Sequence, residues 1–509
     1  MLIKVTSVSF SGLNTIKIDV EVNIADKGLP SFDLVGMPNK AVGESRERVR
    51  TALVNAGFSF PLRRITVNLA PGDVPKNGAF YDFPIALGIL SEITGFHIPE
   101  GSLFFGELSL DGSLRHTKGA LLAALFAKEM GLKSVFVPEE SANEASIVKG
   151  IQVYPVKDLS QIVQFFNDQC TLEPAVYMSK TREEISTVEF DMSEVSGQEQ
   201  AKRALEIAAA GGHNVLMVGS PGSGKTMLAR ALPGILPLLS EEESLEVTRI
   251  YSSAGNIPPG GSLIITRPFR SPHHIISQAG LVGGGSHPQP GEISLAHRGI
   301  LFLDEFNEFP RPIIEALRQP LEDGKLTISR SLERVTYPSR FILIAAANPC
   351  PCGFLNDETK DCVCSPREIQ RYRKKLSGPI LDRIDLHVDI PVVDIRKLAR
   401  SMERGDRKET SSQIRDRVAL ARQIQQKRFW DDPIQTNSEM KNRQIKEYIN
   451  LKQGPRNMLN DGAEVFQLSA RSYLKMLKLS RTIADLEGSV TIREEHVAEA
   501  LQYRPRIME

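Results

Sequence analysis

Residues 213–232, HNVLMVGSPGSGKTMLARAL, decide the fold. A strand-like apolar run, HNVLMV, enters a glycine-rich turn, and the turn opens into the helical pattern MLARAL. Gly219, Ser220, Pro221, Gly222, Ser223, Gly224, Lys225 and Thr226 complete the phosphate-binding loop pattern, in the strand–loop–helix context it requires. The glycines allow backbone N–H groups to curl around phosphates at a helix N-terminus. Lys225 is then placed for the β- and γ-phosphates and the Thr226 hydroxyl for Mg²⁺. A glycine-rich turn without a ligand is the plain alternative, and the complete pattern in this setting argues against it.

Two further strands extend the reading outward. ILFLDE ends in Asp304 and Glu305, and a carboxylate at the C-terminal end of a parallel strand lies at the crevice where such sheets bind ligands. Asp304 is expected to hold the metal through water, and Glu305 to orient and deprotonate the attacking water. FILIAAANP ends in Asn348, a polar group placed to touch the γ-phosphate or the water. An acidic pair after one strand is weak evidence alone, but beside the loop it describes an ATPase using ATP and Mg²⁺. Near-continuous apolar strands of this kind suit a parallel sheet buried on both faces.

The chain has 509 residues, which at about 150 per domain suggests roughly three domains. Residues 1–168 alternate strand-like runs, VEVNIADKGLP and RRITVNLAPGD, with the amphipathic stretch ESRERVRTALVNAG. A polar linker is expected over 169–187, containing Cys170, then an α/β core over 188–393 and a helical segment over 394–509. Its 62 basic and 62 acidic side chains leave no formal net charge, which excludes binding by bulk positive charge but not by a local basic surface. The composition, 41% hydrophobic and 24% charged, is that of an ordinary soluble protein. No apolar stretch approaches a membrane span, MLIKVTSVSF lacks a signal-peptide profile, and five cysteines are too few for a disulfide scaffold. A cytoplasmic protein without a membrane partner is expected.

VSGQEQAKRAL, GSPGSGKT, GILFLDEF, AAANP and LDRIDL together resemble an AAA+ ATPase of the magnesium-chelatase type. RPFRSPHH, PGEISLAHRG and ARSYLKMLKLSRTIADLEG narrow the resemblance to the YifB/ComM group, and it extends over essentially the whole chain. The fold it implies is an AAA+ P-loop core with a helical lid, preceded by an α+β domain. It implies that Val195, Gly197 and Gln198 pack the adenine and that Asn348 is the sensor 1 residue. Arg383 in LDRID matches the arginine finger that reaches a neighbouring subunit's ATP, and Arg471 in SARSY the sensor 2 arginine. A finger supplied in trans stabilises charge on the transferred phosphoryl and ties hydrolysis to assembly, here a homo-hexameric ring.

Residues 1–168 resemble the Lon-type peptidase domain in VPKNGAFYDFPIALGIL and RHTKGALLAALFAKEMGLKSVFVPEE. Aligned on the peptidase motifs, Phe80 stands where the serine nucleophile belongs and Ala120 where the lysine belongs, with Lys118 two residues away. Neither can perform that chemistry, so a peptidase fold without peptidase activity is expected.

Cys350, Cys352, Cys362 and Cys364 lie within fifteen residues, as C-x-C, nine residues, C-x-C. Four thiolates can close a structural Zn²⁺ site, although the single residue between paired cysteines is shorter than zinc knuckles usually have. Reduced thiols and an iron–sulfur cluster remain as alternatives. Nucleic-acid candidates are the basic run 366–378 with Arg371, Arg373, Lys374 and Lys375, the hairpin-like KLTISRSLERVTYP with Arg330 near its tip, and RPFRSPHH with the flexible GLVGGGSHPQPG. His273 and His274 are adjacent and lack a carboxylate pattern, so no metal is expected there. The leading expectation is a DNA helicase or translocase acting on single-stranded or branched DNA during transformation. The other readings are the ATPase subunit of a metal chelatase and an ATP-gated remodelling or regulatory scaffold.

Overall fold

The computed structural model of the protein describes residues 2–178, 189–285, 288–329, 333–355, 357, 360–376, 378–392 and 408–505. Arg330 therefore lies outside the described residues, as do most of the expected linker and the junction expected near residue 393.

The amino-terminal part is built on two sheets. Strands Leu2–Ser11 and Asn14–Ala25 form an antiparallel hairpin, closed at Gly12 with φ +64, and they continue into Arg64–Ala70 and Ser31–Val35. A smaller parallel sheet joins Ser102–Phe104, Ser134–Pro138 and Gln152–Val156. Between them lies the helix Asp82–Thr94, apolar on nearly every side and buried accordingly. A Cβ at its Gly88 would stand 2.5 Å from Val22 Cγ2, so glycine is what lets this helix approach the sheet so closely. One apolar cluster runs through this part, from Val5 to Val163.

The central sheet is parallel and five-stranded, in the order Phe269–Arg270, Ile300–Leu303, Ile342–Ala347, Val215–Gly219, Leu386–Ile390. The first of these strands in chain order lies between the fourth and the fifth, so the phosphate-binding loop emerges beside the C-terminal ends of its neighbours, where ligands of open α/β sheets bind. The three strands read from the apolar runs are buried along nearly their whole length. Flanking helices start and stop on local signals. Ser240 and Glu243 form a capping box before Glu241–Ala254, which ends at Gly255 with φ +73.

The carboxy-terminal helices are Ser411–Arg428, Asn442–Tyr448, Gln453–Val465, Ala470–Leu486 and Glu494–Gln502. They share an apolar cluster with the helices Glu199–Gly211 and Lys225–Ile235 and one face of the sheet. A buried polar knot fastens them: Asp485 accepts from Arg428 Nη1 at 2.8 Å and from Asn437 Nδ2 at 2.8 Å. The amino-terminal part meets the core around the helix Glu241–Ala254 and the strand Arg334–Pro338, among other places. A Cβ at Gly12 would stand 2.1 Å from Val335 Cγ1, and Glu144 Oε1 accepts from Ser252 Oγ at 2.5 Å. Among the described residues no helix is long and apolar enough to cross a membrane.

Candidate nucleotide site

The loop 219–226 joins the strand Val215–Gly219 to the helix Lys225–Ile235, with Gly222 at φ +79 and Gly224 at φ +90. Lys225 Nζ donates to Gly219 O at 2.6 Å, Ser220 O at 2.9 Å and Asn348 Oδ1 at 3.3 Å. Burial pushes its ammonium below the usual lysine value, against the pull of Asp304. A desolvated cation ringed by weak neutral acceptors is well prepared for a phosphate. Thr226 Oγ1 donates to Asp304 Oδ2 at 2.9 Å, bringing two hard oxygen donors together beside the loop. That pair fits Mg²⁺, which takes one carboxylate, a hydroxyl, phosphate oxygens and waters.

Glu305 follows directly, in left-handed backbone at φ +50 at the start of the short turn Phe306–Glu308. Non-glycine residues adopt this conformation only where surroundings enforce it. Its carboxylate is held from the side: His274 Nδ1 lies 3.2 Å from Glu305 Oε2, and the His273 ring lies tilted against that of His274, with centroids 4.1 Å apart. Sequence reasoning weighed His274 as a metal ligand and within the RPFRSPHH segment, and did not place it beside Glu305. Its only signal is its place in RPFRSPHH, just after the strand Phe269–Arg270. On the other flank, Val195 is buried, Gly197 has φ +66, and Gln198 Nε2 donates to Ser223 O at 3.3 Å and Pro391 O at 2.6 Å. The segment 195–198 thus borders the loop.

Arg383 and Arg471 are not at this end of the sheet. Asn214, just before the loop's strand, donates through Nδ2 to Arg383 O at 3.0 Å, which fixes Arg383 at the N-terminal edge. A five-residue strand spans about 16 Å, so the loop is a full strand length away. Arg383 and Arg471 converge there on one carboxylate, Glu322, Arg471 Nη2 at 3.1 Å from its Oε1. They line a cavity of about 570 Å³ whose other lining residues include Arg267, Arg422, Lys475 and Lys478.

The four clustered cysteines gather their sulfurs within 4.8 Å of one another. Cys350 Sγ is 3.3 Å from Cys352 Sγ and 3.7 Å from Cys362 Sγ, and Cys352 Sγ is 3.6 Å from Cys362 Sγ. Ser365 follows at once and caps the helix Pro366–Arg373. Arg371, Lys374 and Lys375 are exposed on or just after this helix and Arg373 is half-buried. Lys375 is engaged by Glu308 at 3.0 Å. The strands Lys325–Ser329 and Arg334–Pro338 form an antiparallel hairpin. Phe80 is packed among the rings of Phe10, Tyr81 and Phe105, with centroids 4.6–5.3 Å away, and Ala120 is buried.

Comparison with known proteins gives this geometry a family. Residues 191–398 match the model for magnesium chelatase, subunit ChlI, residues 20–141 that for subunit ChlI of Mg-chelatase, and residues 408–504 that for the ChlI C-terminal region. The chain is 42% identical to competence protein ComM of Haemophilus influenzae over 97% of its own length and 96% of that protein's. It is 41% identical to YifB of Escherichia coli over 97% and 95%. The chain belongs to the YifB/ComM family of magnesium-chelatase-like proteins. The 38 kDa magnesium-chelatase subunit of Rhodobacter capsulatus is a more distant relative, 25% identical over 64% of this chain and 88% of that subunit. As a YifB/ComM protein the chain is an AAA+ P-loop ATPase, and the parallel sheet carrying the loop is its core.

Proposed function

We propose that this YifB/ComM protein is a ring-forming, ATP-driven motor that translocates on DNA, acting on single-stranded or branched recombination intermediates. The observation that carries the reading is the pairing of Arg383 with Arg471 on Glu322, a full strand length from the chain's own phosphate-binding loop. Each chain holds one half of a catalytic site on one edge of its sheet and the other half on the opposite edge. Copies arranged head to tail complete every site, and a closed ring, taken as a hexamer from the family resemblance, leaves none unpaired.

In this reading the loop 219–226 grips the triphosphate and Lys225 turns from the loop carbonyls to the β- and γ-phosphates. Val195, Gly197 and Gln198 border the base. Thr226 and Asp304 hold Mg²⁺, which when bound neutralises charge on the phosphates. Glu305 takes the proton of the attacking water, Asn348 orients that water and the γ-phosphate, and His274 keeps the Glu305 carboxylate in place. Arg383 and Arg471 of one subunit leave Glu322 for the phosphates bound by the next, placing cations where charge develops. Cys350, Cys352, Cys362 and Cys364 hold a structural zinc ion. Phe80 and Ala120 leave the amino-terminal domain without a peptidase dyad, and ring assembly or partner and DNA contacts are the roles left to it. Arg371 and Arg373 on the helix after the cysteine cluster, with Lys374 and Lys375 just beyond it, are the phosphate contacts for DNA. The name of the Haemophilus influenzae relative, a competence protein, is consistent with a setting in DNA uptake.

The test is the ATPase rate with and without single-stranded and branched DNA across a salt series, alongside native mass. Salt-sensitive stimulation by DNA of a hexamer supports the motor. A rate indifferent to every DNA would favour a chelatase subunit or a protein-remodelling scaffold.

A further inference from the structure

The cysteine cluster does more than stiffen an insertion, because its first turn lies against the phosphate-binding loop. Asn348 ends the strand Ile342–Ala347 and touches Lys225, and Cys350 follows two residues later, fully buried. Residues 350–353 then form a tight turn in which Gly353 N–H donates to Cys350 O at 3.0 Å. Gly353 has φ +84, and a Cβ there would stand 2.6 Å from Cδ and 2.7 Å from Cγ of Pro221, in the middle of the loop. The turn that carries Cys350 and Cys352 is thus a wall of the nucleotide site.

The second limb, Cys362 and Cys364, reaches that turn through the sulfurs. Tetrahedral coordination at a Zn–S distance of about 2.3 Å places sulfurs about 3.8 Å apart. The observed separations of 3.3, 3.6 and 3.7 Å lie close to that edge, far from the 2.05 Å or so of a disulfide and too tight to enclose several irons. The Cys352 backbone N–H points at Cys364 Sγ at 3.3 Å, the kind of outer contact that orients a thiolate ligand. Among the described residues between the two limbs, 353–355, 357 and 360–361, there is no helix or strand to hold the turn in place.

We propose that the metal-bound turn Cys350–Gly353 is a clamp on the phosphate-binding loop, so that a thiophilic divalent ion, zinc, held by the four thiolates sets the affinity of the site for ATP. This rests on the reading of the cluster as a zinc site. With the ion in place the turn presses Gly353 on Pro221 and keeps Asn348 in register with Lys225. Without it the two limbs separate and the loop loses a wall.

The experiment measures zinc and iron per chain and the affinity for a fluorescent ATP analogue in five full-length proteins, the parent, Cys362→Ser, Gly353→Ala, Gly353→Ala combined with Pro221→Ala, and the single Pro221→Ala. Pro221→Ala alone is the reference for the pair. The parent should carry about one zinc, and Cys362→Ser should lose it and bind the nucleotide about tenfold more weakly, because a loop without its wall must be ordered on binding. Gly353→Ala keeps every thiol. It should retain its zinc yet bind the nucleotide analogue with a clearly raised Kd. Removing the Pro221 ring should restore part of that affinity, which neither backbone strain at Gly353 nor misfolding can produce. A parent free of zinc and iron overturns the zinc reading and the clamp with it. Full zinc together with unchanged affinity in Gly353→Ala, or no recovery in the double variant, overturns the clamp and leaves the zinc site standing.

Discussion

Glu305 and His274 show what single residues contribute and which of them a sequence can reveal. If Glu305 is the base, Glu305→Gln should bind ATP as the parent does and turn it over about 10²–10⁴-fold more slowly, since Thr226 and Asp304 still hold the metal. Equilibrium binding and steady-state ATPase measured on one preparation check this, and a rate within a few-fold of the parent would remove Glu305 from the mechanism. His274→Ala should lower kcat roughly tenfold with nucleotide affinity intact, because a misdirected carboxylate costs rate rather than binding. The phosphate-binding loop was legible because its chemistry demands glycines, a lysine and a hydroxyl at fixed spacing. His274 was not, because its contact with Glu305 joins two loops that only the sheet brings together, and an adjacent histidine pair carries no spacing that names its partner.

Elements were legible where one physical demand governs them. Strands buried on both faces must be apolar throughout, and LMV, ILFL and ILIAAA are. Helix starts that need a side-chain cap display one, as Ser365 and Thr410 do. Less legible was the two-residue strand Phe269–Arg270, too short for any period, and the position of the helix Ala470–Leu486, which brings Arg471 beside Arg383. Its packing follows from shape rather than pattern. That helix also bears on the edge strand Leu386–Ile390. Burial, reinforced by Lys475 and opposed by Asp385, pushes the His387 imidazole down to about 4. The unfolded chain protonates the same group near 6.5, so the unfolded state takes up the proton first as pH falls. The stability from neutral His387 is therefore complete above about 6.5 and lost progressively towards 4, roughly 1–2 kcal/mol of it by pH 5. Urea unfolding at pH 7 and pH 5 should show a smaller pH-dependent loss for His387→Gln than for the parent. Equal losses would mean that another group governs the acid limb.

At the scale of the whole molecule, each chain presents a nucleotide-binding edge and an arginine-bearing edge that cannot meet within one copy. Lys225, Asp304 and Glu305 stand at the C-terminal ends of the strands, while Arg383 and Arg471 stand at the opposite edge on Glu322. Arg383→Ala should accordingly bind ATP and hydrolyse it poorly, as Glu305→Gln does for a different reason. Mixing the two inactive proteins should restore activity. Some interfaces then pair a chain with intact Glu305 against a neighbour with intact Arg383, and such an interface has loop, metal ligands, base and finger together. Random assembly of equal amounts gives about one quarter of interfaces this composition, so the rate should rise to a maximum near the equal mixture and to no more than about a quarter of the parent's. An arginine acting within its own chain predicts something different, because every subunit in the mixture then carries one defect and no interface recovers. Native mass of differently tagged chains establishes that mixed rings form, which separates failed assembly from failed chemistry. A titration that stays flat while mixed rings are present would place Arg383 outside the trans site, and the two edges of the sheet would need another reason for holding their charged residues so far apart.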